Sequence, residues 1–195
     1  VAERMGHWVV SRNYAHQAKA LYQELNDERN VGRLMLNLGG LQLVLGKPDQ
    51  AIEHLKASFA LAVEAESQPD AAQALGSLAT VHLALADYDA ADESARKALE
   101  LLEGRDDFPD EVGQSQLVLG RALLERGRLD EAGECFEAAD AVFEQMASAG
   151  HRAGAWVARS TSSWRSASSS RTVQTRYWNC WAVMLTSSCR ISSRY

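Results

Sequence analysis

Gly40, Gly46 and Lys47 come nearest to a phosphate-binding loop in this chain. Such a loop needs four residues between its glycines, so that backbone N–H groups converge on phosphate, and a Ser or Thr after the lysine to hold magnesium. Five residues intervene here and Pro48 follows Lys47, so nucleotide binding is not expected. The histidines, His7, His16, His54, His82 and His151, are dispersed, and no two have the i, i+4 spacing with a glutamate that builds a helical zinc site. His82, beside the apolar Leu83, reads as a hydrogen-bonded structural histidine. Cys135 stands alone, and Cys180 and Cys189 are separated by eight residues with no histidine nearby, so neither a disulfide framework nor a metal site is indicated. The run Asp106-Asp107-Phe108-Pro109-Asp110-Glu111 lacks the alternating ligands and glycine turn of a calcium loop, and reads as a solvated loop whose aspartates cap a helix starting near Pro109. No glycine-flanked serine or cysteine–histidine arrangement suggests a nucleophile. The expectation is a protein that is not an enzyme and carries no cofactor and no metal.

The elements that hold these residues are helical and repeated. Leu38-Gly39 with Ala51, Leu78-Ala79 with Ala91, and Leu119-Gly120 with Ala132 can be superposed, with the same internal offset and a period of 40 and then 41 residues. One supersecondary unit is therefore being stacked. Pro48, Pro69 and Pro109 are the only prolines, and each opens a helical pattern, where a missing N–H costs nothing. In the first unit a helix over 33–45 is ended by Gly46, which can take the left-handed conformation. A second helix follows, with Ala51, Leu55, Ser58 and Phe59 forming one buried stripe. The same punctuation returns at Ala86 and Gly127. Small residues at Gly39, Ala79, Gly120 and at Ala51, Ala91, Ala132 let antiparallel helices approach closely where they cross, with Ser58, Ala98 and Ala139 expected to do the same against the following unit.

This pattern resembles the tetratricopeptide repeat, through Leu38, Gly39, Gly46, Ala51, Leu55, Ser58 and their equivalents over about residues 32–148. Met35, Leu75 and Gln116 stand where that family has an aromatic residue, a place Trp156 takes at the start of a fourth unit. The resemblance implies an all-α right-handed superhelix of antiparallel helix pairs, an α-solenoid with a period of about 40. It also implies a concave face, lined by the first helix of each unit, that contacts extended peptides. By position the lining would be Arg33, Asn37 and Gly40 in the first unit, Gln73, Ser77 and Thr80 in the second, and Gln114, Leu117 and Arg121 in the third. The carboxylate clamp of chaperone-binding relatives is not expected, because Leu36 and Gly40 occupy its places. The longer period and the segment 22–33 further resemble the sensor region of bacterial XRE-type helix-turn-helix regulators, common in actinobacteria.

Charge divides the chain. Residues 1–158 carry all 26 acidic side chains and 14 of the 20 basic ones, a net charge of −12 that phosphate would repel, so this part is not expected to bind DNA. Residues 159–195 hold six arginines and eleven serines with no Asp, Glu or Lys. Such a stretch reads either as a basic arm, with Trp164, Trp178 and Trp181 stacking on bases, or as out-of-frame translation; the abrupt change inside a repeat favours the second. The expected organisation is a helical remnant of a preceding repeat at 1–31, with a helix at 13–26. An array of three full repeats and the first helix of a fourth follows at 32–158, and a low-complexity, disordered tail at 159–195. No targeting segment or membrane-spanning run is evident, so a cytoplasmic protein is expected, binding a protein or peptide, or a second copy through open array ends.

Overall fold

The computed structural model describes residues 2–146 and 149–168, and all secondary structure among them is helical. In chain order the helices are α1 (Ala2–Glu24), α2 (Glu28–Val44), α3 (Pro48–Glu64), α4 (Gln68–Ala84), α5 (Tyr88–Leu101), α6 (Pro109–Glu125), α7 (Leu129–Gln145) and α8 (Ala149–Ser168). Two boundaries differ from expectation. α1 starts well before residue 13, and α8 runs through the expected break between residues 158 and 159 as far as Ser168. The basic composition there is compatible with a helix because Arg, Ser and Ala lack the prolines and glycines that would stop one. Residues 169–195, with Trp178, Trp181, Cys180 and Cys189, lie outside the described residues.

The joints follow one rule. Asn26, Gly46, Glu66 and Ala86 each adopt positive φ, 20 residues apart, and Gly104 and Gly127 do so later. At Gly46 the amide donates to the Leu43 carbonyl and the Lys47 amide to the Gln42 carbonyl, the paired bonds of a Schellman motif. Asn26, Glu66, Ala86 and Gly127 make the same two bonds in the same register. Each next residue is extended and caps the following helix; the side chains of Asp27 and Asp87 accept from the amides of Asn30 and Ala90. Pro48, Pro69 and Pro109 lie in first turns. At α6 the N-cap is Phe108, and no carboxylate of the neighbouring acidic run caps through its side chain. Asp110 and Glu111 lie inside the first turn instead.

Packing alternates. α2 pairs with α3, α4 with α5, and α6 with α7; the first helices α2, α4, α6 and α8 also touch in succession, while α3, α5 and α7 stay apart. An array whose first helices touch and whose second helices splay must curve with the first helices inside. Leu38, Ala51, Leu55, Ala79, Ala91 and Ala132 are fully buried, Leu78 and Leu119 nearly so, and Gly39 and Gly120 are buried with them. Sizes compensate across the crossings. A Cβ on Gly39 would lie 2.5 Å from Leu55 Cγ, and one on Gly120 would lie 2.5 Å from Phe136 Cε1. In the middle unit Ala79 and Ala95 divide the space evenly, both fully buried. Gly113 faces Phe143 in the same manner, one turn-pair away from Gly120 and Phe136. Ser58 differs from expectation: its hydroxyl donates to the Gly32 carbonyl at 2.8 Å, back into its own unit.

Polar links secure the second and third units. Asp92 on α5, 6% exposed, accepts from Arg96 on its own helix and from Arg126 and Arg128 at the joint between α6 and α7. Arg126 also pairs with Asp89, and Arg128 with Glu131, so each guanidinium is matched by carboxylates. A buried carboxylate is tolerated only when paired in this way.

Candidate protein-binding face

The inner face is built by three positions of each first helix, lying five and one residues before and two residues after the reference leucines Leu38, Leu78 and Leu119. That spacing, i, i+4, i+7, is one stripe of an α-helix. In α2 it presents Arg33, Asn37 and Gly40, all exposed. In α4 it presents Gln73 and Thr80, exposed, and Ser77, half-buried. In α6 it presents Gln114, half-buried, Val118, buried, and Arg121, exposed. Leu117 is the exception among the expected lining residues. It is half-buried against Ala139, Phe143 and Ala155, because it lies one residue off the stripe and α8 stacks over it. The equivalent of Asn37 and Ser77 is Val118, so the stripe is polar in two units and turns apolar in the third.

The stripe is held by a ladder between successive first helices. Arg33 Nε donates to Asp70 Oδ1 at 3.2 Å, and Gln73 Nε2 to Glu111 Oε1 at 3.5 Å, the same register in consecutive units. Arg29 joins the first rung at 3.3 Å, and the Ser67 hydroxyl donates to Asp70 at 2.7 Å. Partial burial pushes the Asp70 carboxyl up, but the bonds from Ser67, Arg33 and Arg29 outweigh it and hold the group below the ordinary carboxylate range. Asp70 and Glu111 carried no signal in the sequence beyond the usual acidic first turn; only the stacking register shows what they bind. Thr80 Oγ1 donates to its own helix at Gly76, 3.0 Å away, which leaves its oxygen lone pairs outward. A Cβ on Gly40 would meet nothing within 4 Å, so the stripe is open there.

The face has no catalytic character. Its ionisable groups are the guanidiniums of Arg33 and Arg121, and no group of three His, Cys, Asp or Glu among the described residues could hold a metal ion. His82 is half-buried, with Nδ1 3.8 Å from Asp87 Oδ2, at the end of α4 away from the stripe. Cys135, partly buried against the α6–α7 core, has its thiol pushed up by burial and is unreactive by that measure. No helix among the described residues is long and apolar enough to cross a membrane.

Models of the family described as tetratricopeptide repeat match residues 30–104 and 113–138. The chain carries tetratricopeptide repeats. No curated protein matches it. Among solved structures it is similar to the putative kinesin light chain of Podosopora anserina with nearly identical TPR-like repeats. In its Q17M form the identity is 17%, with 95% of this chain and 90% of that one covered, and the TM-score is 0.67. It is also similar to BtubC (BKLC) from P. vanneervenii, at 20% identity over 74% of this chain, with a TM-score of 0.63. The chain spans 59% of the length of BtubC. At these identities the likeness concerns the fold, an all-α tetratricopeptide solenoid. Repeats of this kind are scaffolds for protein–protein binding and no catalytic family is indicated.

Proposed function

We propose that the concave stripe binds an extended protein segment, and that the array is the sensor or assembly part of a transcriptional regulator. The observation that carries the first statement is the composition of the stripe. On a part of the chain with net charge −12 it presents Arg33, Asn37, Gln73, Ser77, Thr80 and Arg121 without one carboxylate. Asn37 and Gln73 offer donors and acceptors to a peptide backbone, and the two guanidiniums suit carboxylates in forked geometry. The ligand is therefore an extended peptide of neutral to acidic character. Panning the full chain against random peptides should enrich acidic sequences, and Asn37→Ala with Arg121→Ala should weaken the best binder by roughly tenfold or more, about 1.4 kcal/mol. Unchanged affinity in both variants would remove the concave face from the reading.

The regulator reading is supported by the 20-residue helix spacing and the segment 22–33, which resemble the sensor arrays of helix-turn-helix regulators in the bacterial cytoplasm. In that setting the acidic array would not itself touch DNA. Reading the gene upstream of the Val1 codon tests it: a helix-turn-helix segment in frame supports the regulator, and an unrelated domain turns the protein into a general adaptor.

A further inference from the structure

The two ends of the described array are the two halves of the interface that the chain repeats three times inside itself. In the complete units, the positions six and three residues before the reference leucine and one residue after it face the second helix of the same unit. They are buried in α2, α4 and α6, apart from the half-buried Gln116. In α8 the same positions are Ala153, Trp156 and Ser160, and all three are exposed, Trp156 by 55%. α8 is thus a first helix whose own second-helix partner is missing among the described residues.

α1 is the converse. Its left-handed end at Asn26 lies 40 residues before that of α3 at Glu66, so it has the register of a second helix. Its Ser11 and Ala15 stand where Ala51 and Leu55 pack fully buried against α2, and Ser11 is exposed. Leu21, at the place of Leu61 whose Cβ touches the site of Gly32, is 60% exposed. Tyr14 stands exposed on the same side.

We infer that a second copy of this chain fills the gap, head to tail: α1 of one copy packs on α8 of the next and completes a fourth unit from two molecules. The crossing keeps its size rule, since Ser160 and Ser11 are both small where Gly39, Ala79, Gly120 and Ala51, Ala91, Ala132 are small. The large Trp156 then meets the small Ala15. A second contact continues in register. Leu117 of α6 packs on Ala155 of α8, and Gly76 approaches Ser115 in the same relation. The next such pair would be Val157, 67% exposed, against Leu34 of α2 in the neighbouring copy, which is half-buried while its equivalents Ala74, Ser115 and Ala155 are buried. Such a contact is heterologous and builds chains or closed rings rather than stopping at a dimer. α8 has three arginines and no acid, and α1 has three basic and two acidic residues, so charge opposes the contact and apolar burial must drive it. Added salt should therefore tighten it.

Sedimentation velocity of the full chain tests this. The expected result is a mass that rises with protein concentration beyond a dimer, and rises further with salt. Leu21→Glu, which closes the α1 end, and Val157→Glu, which closes the α8 end, should each be monomeric alone with unchanged helicity. An equimolar mixture should give a one-to-one dimer and nothing larger, because each variant keeps one good end. A wild-type chain that stays monomeric up to its solubility limit overturns the inference, as does a mixture that remains monomeric. A wild type that stops at a dimer overturns the head-to-tail geometry, and with it the proposal. Loss of peptide binding leaves all these masses unaffected, so failure here and failure of the concave-face reading are separate outcomes.

Discussion

Gln42 is an amide in a place made for a hydrocarbon. It is 4% exposed, four residues after the reference leucine of α2, and its Oε1 has no hydrogen-bond partner among the described residues. The equivalent position in α6 is Leu123, buried in the third unit's core. An unsatisfied buried carbonyl costs about 1–3 kcal/mol, so Gln42→Leu is expected to stabilise the array by about 1–2 kcal/mol, read as a higher denaturant midpoint at unchanged slope. A lower midpoint would show that the amide is bonded. The glycines tell a related story. Gly39 and Gly120 were legible because they recur in frame with Ala79; Gly113 was not, since its need for smallness comes from the ring of Phe143, thirty residues away in sequence. The same blindness misplaced Leu117: spacing alone does not say whether residue 117 or 118 faces inward until α8 covers one of them.

Among the elements, the joints show how far local signals reach. Gly46 and Gly127 announce themselves, and Ala86 was found by its place in the repeat. Asn26 and Glu66 take the same left-handed conformation, yet Glu66 looks like any helical surface residue, so the joints between units were harder to find than those within them. A residue with a Cβ is penalised by roughly 1–2 kcal/mol in that conformation and glycine is not, although glycine loses more freedom on folding. Ala86→Gly is therefore expected to raise stability by about 0.5–1 kcal/mol, and Gly46→Ala to lower it by a similar amount. Differential scanning calorimetry of the two variants checks the pair; if both shift Tm in one direction, the capping argument fails. Helix lengths and the stacking order were readable from periodicity, whereas the continuation of α8 to Ser168 was hidden by a change of composition that does not disturb helical propensity.

Across the whole molecule, acid should loosen the array from its first unit. His54 on α3 is held below its ordinary value, mainly by burial and further by His16 and Lys19 of α1, whose His16 ring lies 6.4 Å away. The unfolded chain therefore takes up this proton first, and stability falls as pH drops below about 6.5. The Asp70 rung follows only in the ordinary carboxylate range, where the unfolded chain again protonates first. Urea midpoints measured between about pH 7.5 and about pH 5.5 should fall for the wild type and fall less for His54→Gln. Equal loss in both chains would assign the acid sensitivity elsewhere. The stack was legible as a whole because each unit repeats its neighbours; the ladder of Arg33, Asp70, Gln73 and Glu111 was not, because it exists only between units.

The evenly spaced left-handed joints also make the chain a ruler under tension. From Asn26 to Ala86 every helix meets an identical hinge after the same length of backbone, whether the hinge lies inside a unit or between two. Pulled from its ends, this stretch should lengthen in equal steps, each freeing a contour of roughly 70 Å, the reach of 20 extended residues. The link around Gly104, which interrupts the rhythm after a shorter α5, should be the one step of a different size.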